Sequence, residues 1–347
     1  MSKLSLLKFS FPILLLVGLL VTSFLVPILD PGYDNVVNYL KDENGKMIAA
    51  PPFTSSEMPP AGSDRLGRNL LLVLLAGAKY TIFAALTVAL LRIVVGFLLA
   101  VIYSFLPSRL GRFLKNLGES FQYIPLTIIV FALLVPLEDL FQGGYLTSTK
   151  FFIIQLFTIA FVTIPSFAVY LGEEMKLFMK QEFMDVSRTM GASRFHIFRQ
   201  HLLPQFRRHS IVLFSEQVSQ ALALFIQLGI LVMALGGLKI ADFAFSALDP
   251  ANPVYFSHTN EWAATISINI NQIFITPTLV VVPLTLFALT ILCFNSISSN
   301  LRKLLIEENF RVLAKEKPKD TPSPTPLVNE DGRGDRDFVL LKNLNIE

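Results

Sequence analysis

The chain has 347 residues, of which 53% are hydrophobic and only 16% charged, with a formal net charge of +3. Soluble domains carry about 25% charged residues, so the composition excludes an ordinary soluble domain, and a small, unevenly placed net charge does not suggest a nucleic-acid partner. One cysteine excludes an intrachain disulfide framework, and the four histidines contain no His-x-x-x-His pair, so no metal site is expected.

Six segments are apolar and about long enough to cross a bilayer, since a hydrocarbon core of roughly 30 Å takes about 20 helical residues. They are 11–29, about 80–106, about 120–137, 151–171, about 211–235 and about 273–296. The expected fold is therefore an all-α integral membrane protein with six transmembrane helices. Lys3 and Lys8 precede the first segment, but "VTSFLVPILD" offers no small-x-small cleavage site, so 1–29 reads as an uncleaved N-terminal anchor. Residues 30–78 read as an outer segment, turn-rich at "PPFTSSEMPP". The run from 70 to 106 is too long for one upright span, and Lys79 suits an interface better than lipid. A separate short interfacial helix over 70–78 is therefore expected.

Residues 79–305 read as the membrane domain, with a large loop over 172–209. Residues 306–347 read as a polar tail opening on "PKDTPSPTP", a composition that cannot bury a core. Lys and Arg set the orientation. With the N-terminus inside, the inner segments hold Arg109, Arg112 and Lys115, then Lys176, Lys180, Arg188, Arg194, Arg199, Arg207 and Arg208, then Arg302 and Lys303. The outer ones hold Lys41, Lys46, Arg65, Arg68 and Lys239. Both termini and the large loop are expected in the cytoplasm.

The chain has no phosphate loop, no His-Glu-x-x-His and no Gly-x-Ser-x-Gly, so it is not expected to be an enzyme, and any ATP chemistry falls to another chain. It shows no arginine repeat, no filter-like stretch and no internal repeat of the kind a self-contained secondary transporter carries.

The loop over 172–209 reads as two short amphipathic helices. Phe183, Val186 and Met190 make one apolar stripe at i, i+3 and i+7; Phe195, Phe198 and Leu202 make a second. Gly191 is placed to end the first helix, Ser193 to cap the second, and Pro204 to close the pattern. In span five, Glu216, Gln220, Ala223 and Gln227 fall on one helical face. That face reads either as pathway lining or as interhelical hydrogen bonding. Arg92 lies inside a span, where arginine is normally paired; Glu216 and Glu119 are candidate partners, and snorkelling to an interface is the alternative.

The stretch "QEFMDVSRTMGASRFHIFRQHLLPQF" resembles the cytoplasmic loop of ABC-importer permeases, with Glu182, Gly191, Leu203 and Pro204 at its key positions. Asp185 and Val186-Ser187 stand where that family usually has alanines or other small residues. "GSDRLGRN" is similar to the Gly-Thr-Asp-x-x-Gly-Arg-Asp signature of peptide and nickel importer permeases. Gly62, Asp64, Gly67 and Arg68 match it; Ser63 and Asn69 are conservative replacements. "SRLGRFLKNLGESFQYIP" and "FNSISSNLRKLL" resemble further segments of the same family.

The resemblance covers about 11–305 and implies a type I importer permease fold. It implies a coupling element made of Glu182, Asp185, Ser187, Gly191, Ala192, Leu203 and Pro204, docked on a cytoplasmic ATPase. It implies a second homologous permease subunit, two ATPases that bind ATP and Mg, and an external solute-binding protein, in a bacterial cytoplasmic membrane. The pathway candidates are Glu216, Gln220, Gln227 and Arg92. A secondary transporter or channel, and a scaffold that recruits a cytoplasmic protein, are the alternatives.

Overall fold

Apolar runs without breakers fold into long helices, because in lipid every backbone donor and acceptor has to be satisfied within the segment. A computed structural model of the chain describes residues 3–42, 46–121, 123–240, 255–257 and 259–315. Helix α1 spans Lys3–Leu29 and α2 spans Leu70–Ser104. They are followed by α3 (Ser108–Phe121), α4 (Leu126–Gln142) and α5 (Ser148–Phe178). Helices α6 (Glu182–Thr189), α7 (Arg194–Ile197) and α8 (Leu203–Ile230) come next. After them come α9 (Trp262–Asn269) and α10 (Thr278–Lys315). Among the described residues, two short antiparallel strand pairs, β1–β2 (Leu40–Lys41 with Met47–Ala49) and β3–β4 (Lys239–Ile240 with Tyr255–Phe256), lie in the segments assigned to the outer side.

Among the described residues, five helical stretches are long and apolar enough to span a membrane: 10–29, 70–104, 148–178, 194–230 and 278–305. The remaining expected span is α4, which has 17 residues. At 1.5 Å per residue it reaches roughly 25 Å, at the short end of the range for a crossing.

Residues 70–78 do not form a helix of their own. They are the first turns of the 35-residue α2, which runs without a break. Asn69 starts it, its side chain accepting from the N–H groups of Leu71 and Leu72 at 3.1 and 3.3 Å. No proline follows until the helix has ended. Lys79 reaches a favourable setting without a helix break. Its ammonium lies 5.1 Å from the Phe24 ring centroid and 5.5 Å from that of Tyr80, and such stems snorkel along apolar surface. Ser23 on α1 joins the same place, donating to Ala76 O at 2.8 Å and accepting from Lys79 N at 3.0 Å.

Helix α2 is the axis of the molecule, packed against α1, α5 and α8, with α4 on α5 and α9 on α8. Trp262 locks α9 onto it. The indole is fully buried, its Nε1 donating to Leu74 O at 2.8 Å, its backbone N–H donating to Thr81 Oγ1 at 3.1 Å, and its ring meeting Phe287 edge-on at 5.2 Å. Large apolar side chains such as Leu98, Phe157, Phe161 and Leu292 point outward. That is the surface of a chain whose solvent is lipid. Residues 1–305 form one compact unit and 306–347 a second. The Pro-rich stretch of the tail and its Arg333-Gly334-Asp335 lie outside the described residues.

Candidate functional site

The segment between α5 and α8 forms a projection with a buried side and a bare side. Glu182 and Asp185 stand in the first turn of α6 and Arg188 in its last, the arrangement a helix dipole favours. The exposed Asp185–Arg188 pair, at 3.2 Å, adds little by itself. At the end of α6 the Gly191 N–H donates to Arg188 O at 2.9 Å and the Ala192 N–H to Ser187 O at 3.1 Å. Gly191 has φ +86°. These are the two bonds and the left-handed residue of a Schellman cap. Ser193 then caps α7, its hydroxyl accepting from His196 N at 3.2 Å.

Pro204 does not end the helical path. Residues 198–202 form a turn of π-helix, with the Leu203 N–H donating to Phe198 O, and α8 continues with Pro204 in its first turn. Proline lacks the N–H for an α-type bond and its ring crowds the carbonyl four residues back. The wider turn accommodates both effects.

Met184, Ile197 and Leu202 are buried in a core shared with Phe97, Phe167, Leu171 and Leu213. Phe206 stacks on Phe97 at 3.8 Å. On the other side Phe183, Val186, Met190 and Phe195 are exposed, Met190 to 83%. The stripe of α6 read from the sequence is therefore the outward one. The second stripe is divided: Leu202 is buried, Phe198 half-buried and Phe195 exposed. Glu182, Asp185, Gly191 and Pro204 are exposed, while Ser187, Ala192 and Leu203 are half-buried.

The signature ahead of α2 closes a polar clasp. Asp64 Oδ1 accepts from the N–H groups of Leu66 and Arg68, each at 2.9 Å, and Oδ2 from Arg68 Nε at 2.7 Å. Arg68 also reaches Asp34 and, at 3.2 Å, Asn260 Oδ1. Gly62 and Gly67 have φ +80° and +76°. A Cβ on either would lie 2.5 Å from Phe53 O or 2.0 Å from Val37 O. The glycines thus let two stretches of outer backbone close around the arginine.

Arg92 and Glu216, considered together from sequence, are not brought together. Arg92 is buried and donates from Nε to Thr163 Oγ1 at 2.5 Å and from Nη1 to Gln217 Oε1 at 3.2 Å. Glu216 accepts instead from Ser298 Oγ at 2.9 Å and pairs with Arg302 of α10. Gln217 is one residue, or 100° of helix, from Glu216, so the two face different neighbours. The side chain of Glu119 lies outside the described residues. Gln220 is exposed, and Gln227, also exposed, accepts from Thr127. Among the described residues, both Gln220 and Gln227 stay exposed on that face of α8.

A family model described as "binding-protein-dependent transport system inner membrane component" matches residues 92–305, more than half of the chain and all of the projection. The chain is 21% identical over 244 residues to a peptide transport system permease protein of Haemophilus influenzae, covering 70% of this chain and 72% of that protein. It is 27% identical over 183 residues to a probable D,D-dipeptide transport system permease protein of Escherichia coli, covering 51% and 57%. It is 22% identical over 247 residues to a glutathione transport system permease protein of Pectobacterium atrosepticum, covering 70% and 71%.

Proposed function

The chain belongs to the family of binding-protein-dependent transport system inner membrane components, with the all-α type I importer permease fold. From that premise we propose that it is a transmembrane subunit of an ATP-driven importer of oligopeptides, dipeptides or related small solutes. The observation that carries the reading is the projection. A membrane protein that holds Phe183, Val186 and Met190 bare on a capped, rigid helix presents a docking surface rather than a topological loop.

In this reading the projection faces the cytoplasm, with both termini on that side of a bacterial inner membrane. It docks on one of two ATPase subunits, which hold ATP and Mg. When they close, α6 moves, and α5 and α8, which flank the projection, carry the movement into the spans. The buried contacts of Met184, Ile197 and Leu202 support this, because they tie the projection rigidly to α2 and α5. The exposed Gln220 and Gln227 support a second permease subunit and a polar pathway beside α8, since bare polar groups in lipid are costly. The named substrates of the relatives support a peptide-like solute, delivered by an external binding protein.

Uptake of a labelled dipeptide by vesicles containing the full assembly tests this. It should need ATP and stop when the ATPase subunits are omitted. Gradient-driven uptake by this chain alone would make it a secondary transporter. ATPase recruitment without any uptake would make it a scaffold.

A further inference from the structure

A groove of about 460 Å³ opens where the inner ends of α2 and α5 meet α3 and the projection. Arg112 and Lys115 of α3, Lys176 of α5, Lys180 of the linker and Arg188 of α6 line it, with Glu173 as the one acidic lining residue among the described residues. Glu173 is engaged by Lys176 at 3.1 Å and by the Tyr103 hydroxyl at 2.5 Å, and Lys176 lies 3.6 Å over the Tyr103 ring. Asp185 sits 3.2 Å from Arg188. Lys176, Lys180 and Arg188 by themselves outnumber the carboxylates of Glu173 and Asp185.

We propose that this groove binds the phosphate headgroup of an anionic phospholipid of the inner leaflet. Its floor is Ser104, the last residue of α2, and the final turns of α5, which places it at the edge of the membrane. The same helices expose Ile102, Leu110, Phe113 and Leu177. A free anion meets only the cations, whereas a phospholipid matches both the cations and the apolar side chains around them. Basic pockets between spans at the cytoplasmic surface suit anionic headgroups. A headgroup seated here joins α3 to α6, so the lipid would hold the projection in place. The inference rests on the orientation proposed above.

The test is lipid retention by the purified assembly, read by native mass spectrometry with phosphatidylglycerol, phosphatidylcholine or inorganic phosphate added. Phosphatidylglycerol should be retained in preference. The pair Lys176→Gln with Lys180→Gln should weaken it roughly thirtyfold, leaving phosphatidylcholine unchanged, and Lys180→Gln alone should give part of that loss. Arginine at both positions should restore binding. Equal retention of the two lipids, or no effect of the glutamines, overturns the proposal, as does displacement by inorganic phosphate at matched concentration. ATP-dependent uptake is measured on the same samples. Loss of lipid preference with uptake intact removes this inference alone; uptake without ATP dependence removes the permease reading.

Discussion

Glu261 is buried among donors of one kind, backbone N–H groups. Leu235 and Ala264 donate to Oε1 at 3.1 and 2.6 Å, and Ala263 to Oε2 at 2.8 Å. Burial pushes its carboxyl from the usual 4.5 up to about 7, against the pull of those N–H groups. A folded state that holds its proton more tightly than the unfolded chain is most stable below pH 4.5. It loses that contribution as pH rises through about 7. The thermal midpoint of the purified protein should therefore fall between pH 5 and 8, and Glu261→Gln should flatten the fall; parallel profiles would contradict this. Arg92 gives a second prediction. Gln217→Leu leaves Nη1 buried without that partner and should cost about 1–3 kcal/mol in denaturation. Gln220→Leu, on the exposed face, should cost far less. The sequence marks Arg92 as an oddity because charge is rare in a span. It does not mark Gln217, since a neutral amide beside the charged Glu216 carries no signal of which face it takes. Glu261 escapes for a similar reason: it ends a polar loop, and only the fold buries it.

At the scale of the element, backbone contacts decide what composition leaves open. Helix α2 was expected in two pieces because its apolar run exceeds one upright crossing. Length alone does not break a helix, and Gly77 shows what holds its outer part. A Cβ there would lie 1.8 Å from Asn260 O, whereas one on Gly18 of α1 would meet nothing within 4 Å. Gly77→Ala should destabilise the protein by about 1–3 kcal/mol in denaturation, well beyond any effect of Gly18→Ala. In the projection the apolar stripe, the glycine and the serine cap are all legible, since each rests on a local rule. The π-turn at 198–202 is not, because proline in a first helical turn and proline as a stop look alike in sequence. Gly191 has open space around its Cα, so a side chain there is penalised by φ alone. Gly191→Val should strain the cap by about 1–3 kcal/mol and reduce uptake severalfold with membrane insertion intact. Gly191→Asn, which tolerates the left-handed region, should be milder. Uptake measured beside the amount of inserted protein checks both.

At the scale of the whole molecule, three kinds of exposed surface among the described residues, besides the basic groove, bear on the proposed function. The outward Leu and Phe side chains of the spans meet lipid. The exposed Gln220 and Gln227 of α8 face the second transmembrane chain or water-filled path of the proposed reading. The apolar stripe of α6 is exposed and is the proposed seat of the ATPase partner. Composition and span count made the first legible, and helical periodicity outlined the other two. Periodicity alone leaves the Phe183 stripe free to be core, and its exposure is what supports the proposed docking surface. The central claim is that this stripe couples transport to ATPase subunits. The most direct test is uptake by the reconstituted assembly carrying Val186→Asp with Met190→Asp. Both side chains are exposed, so the chain itself should fold unchanged. Burial of such side chains contributes about 1.5–3 kcal/mol each, so peptide uptake should fall by at least roughly tenfold while the ATPase subunits still hydrolyse ATP. Unaltered ATP-dependent uptake by the double variant would contradict the account.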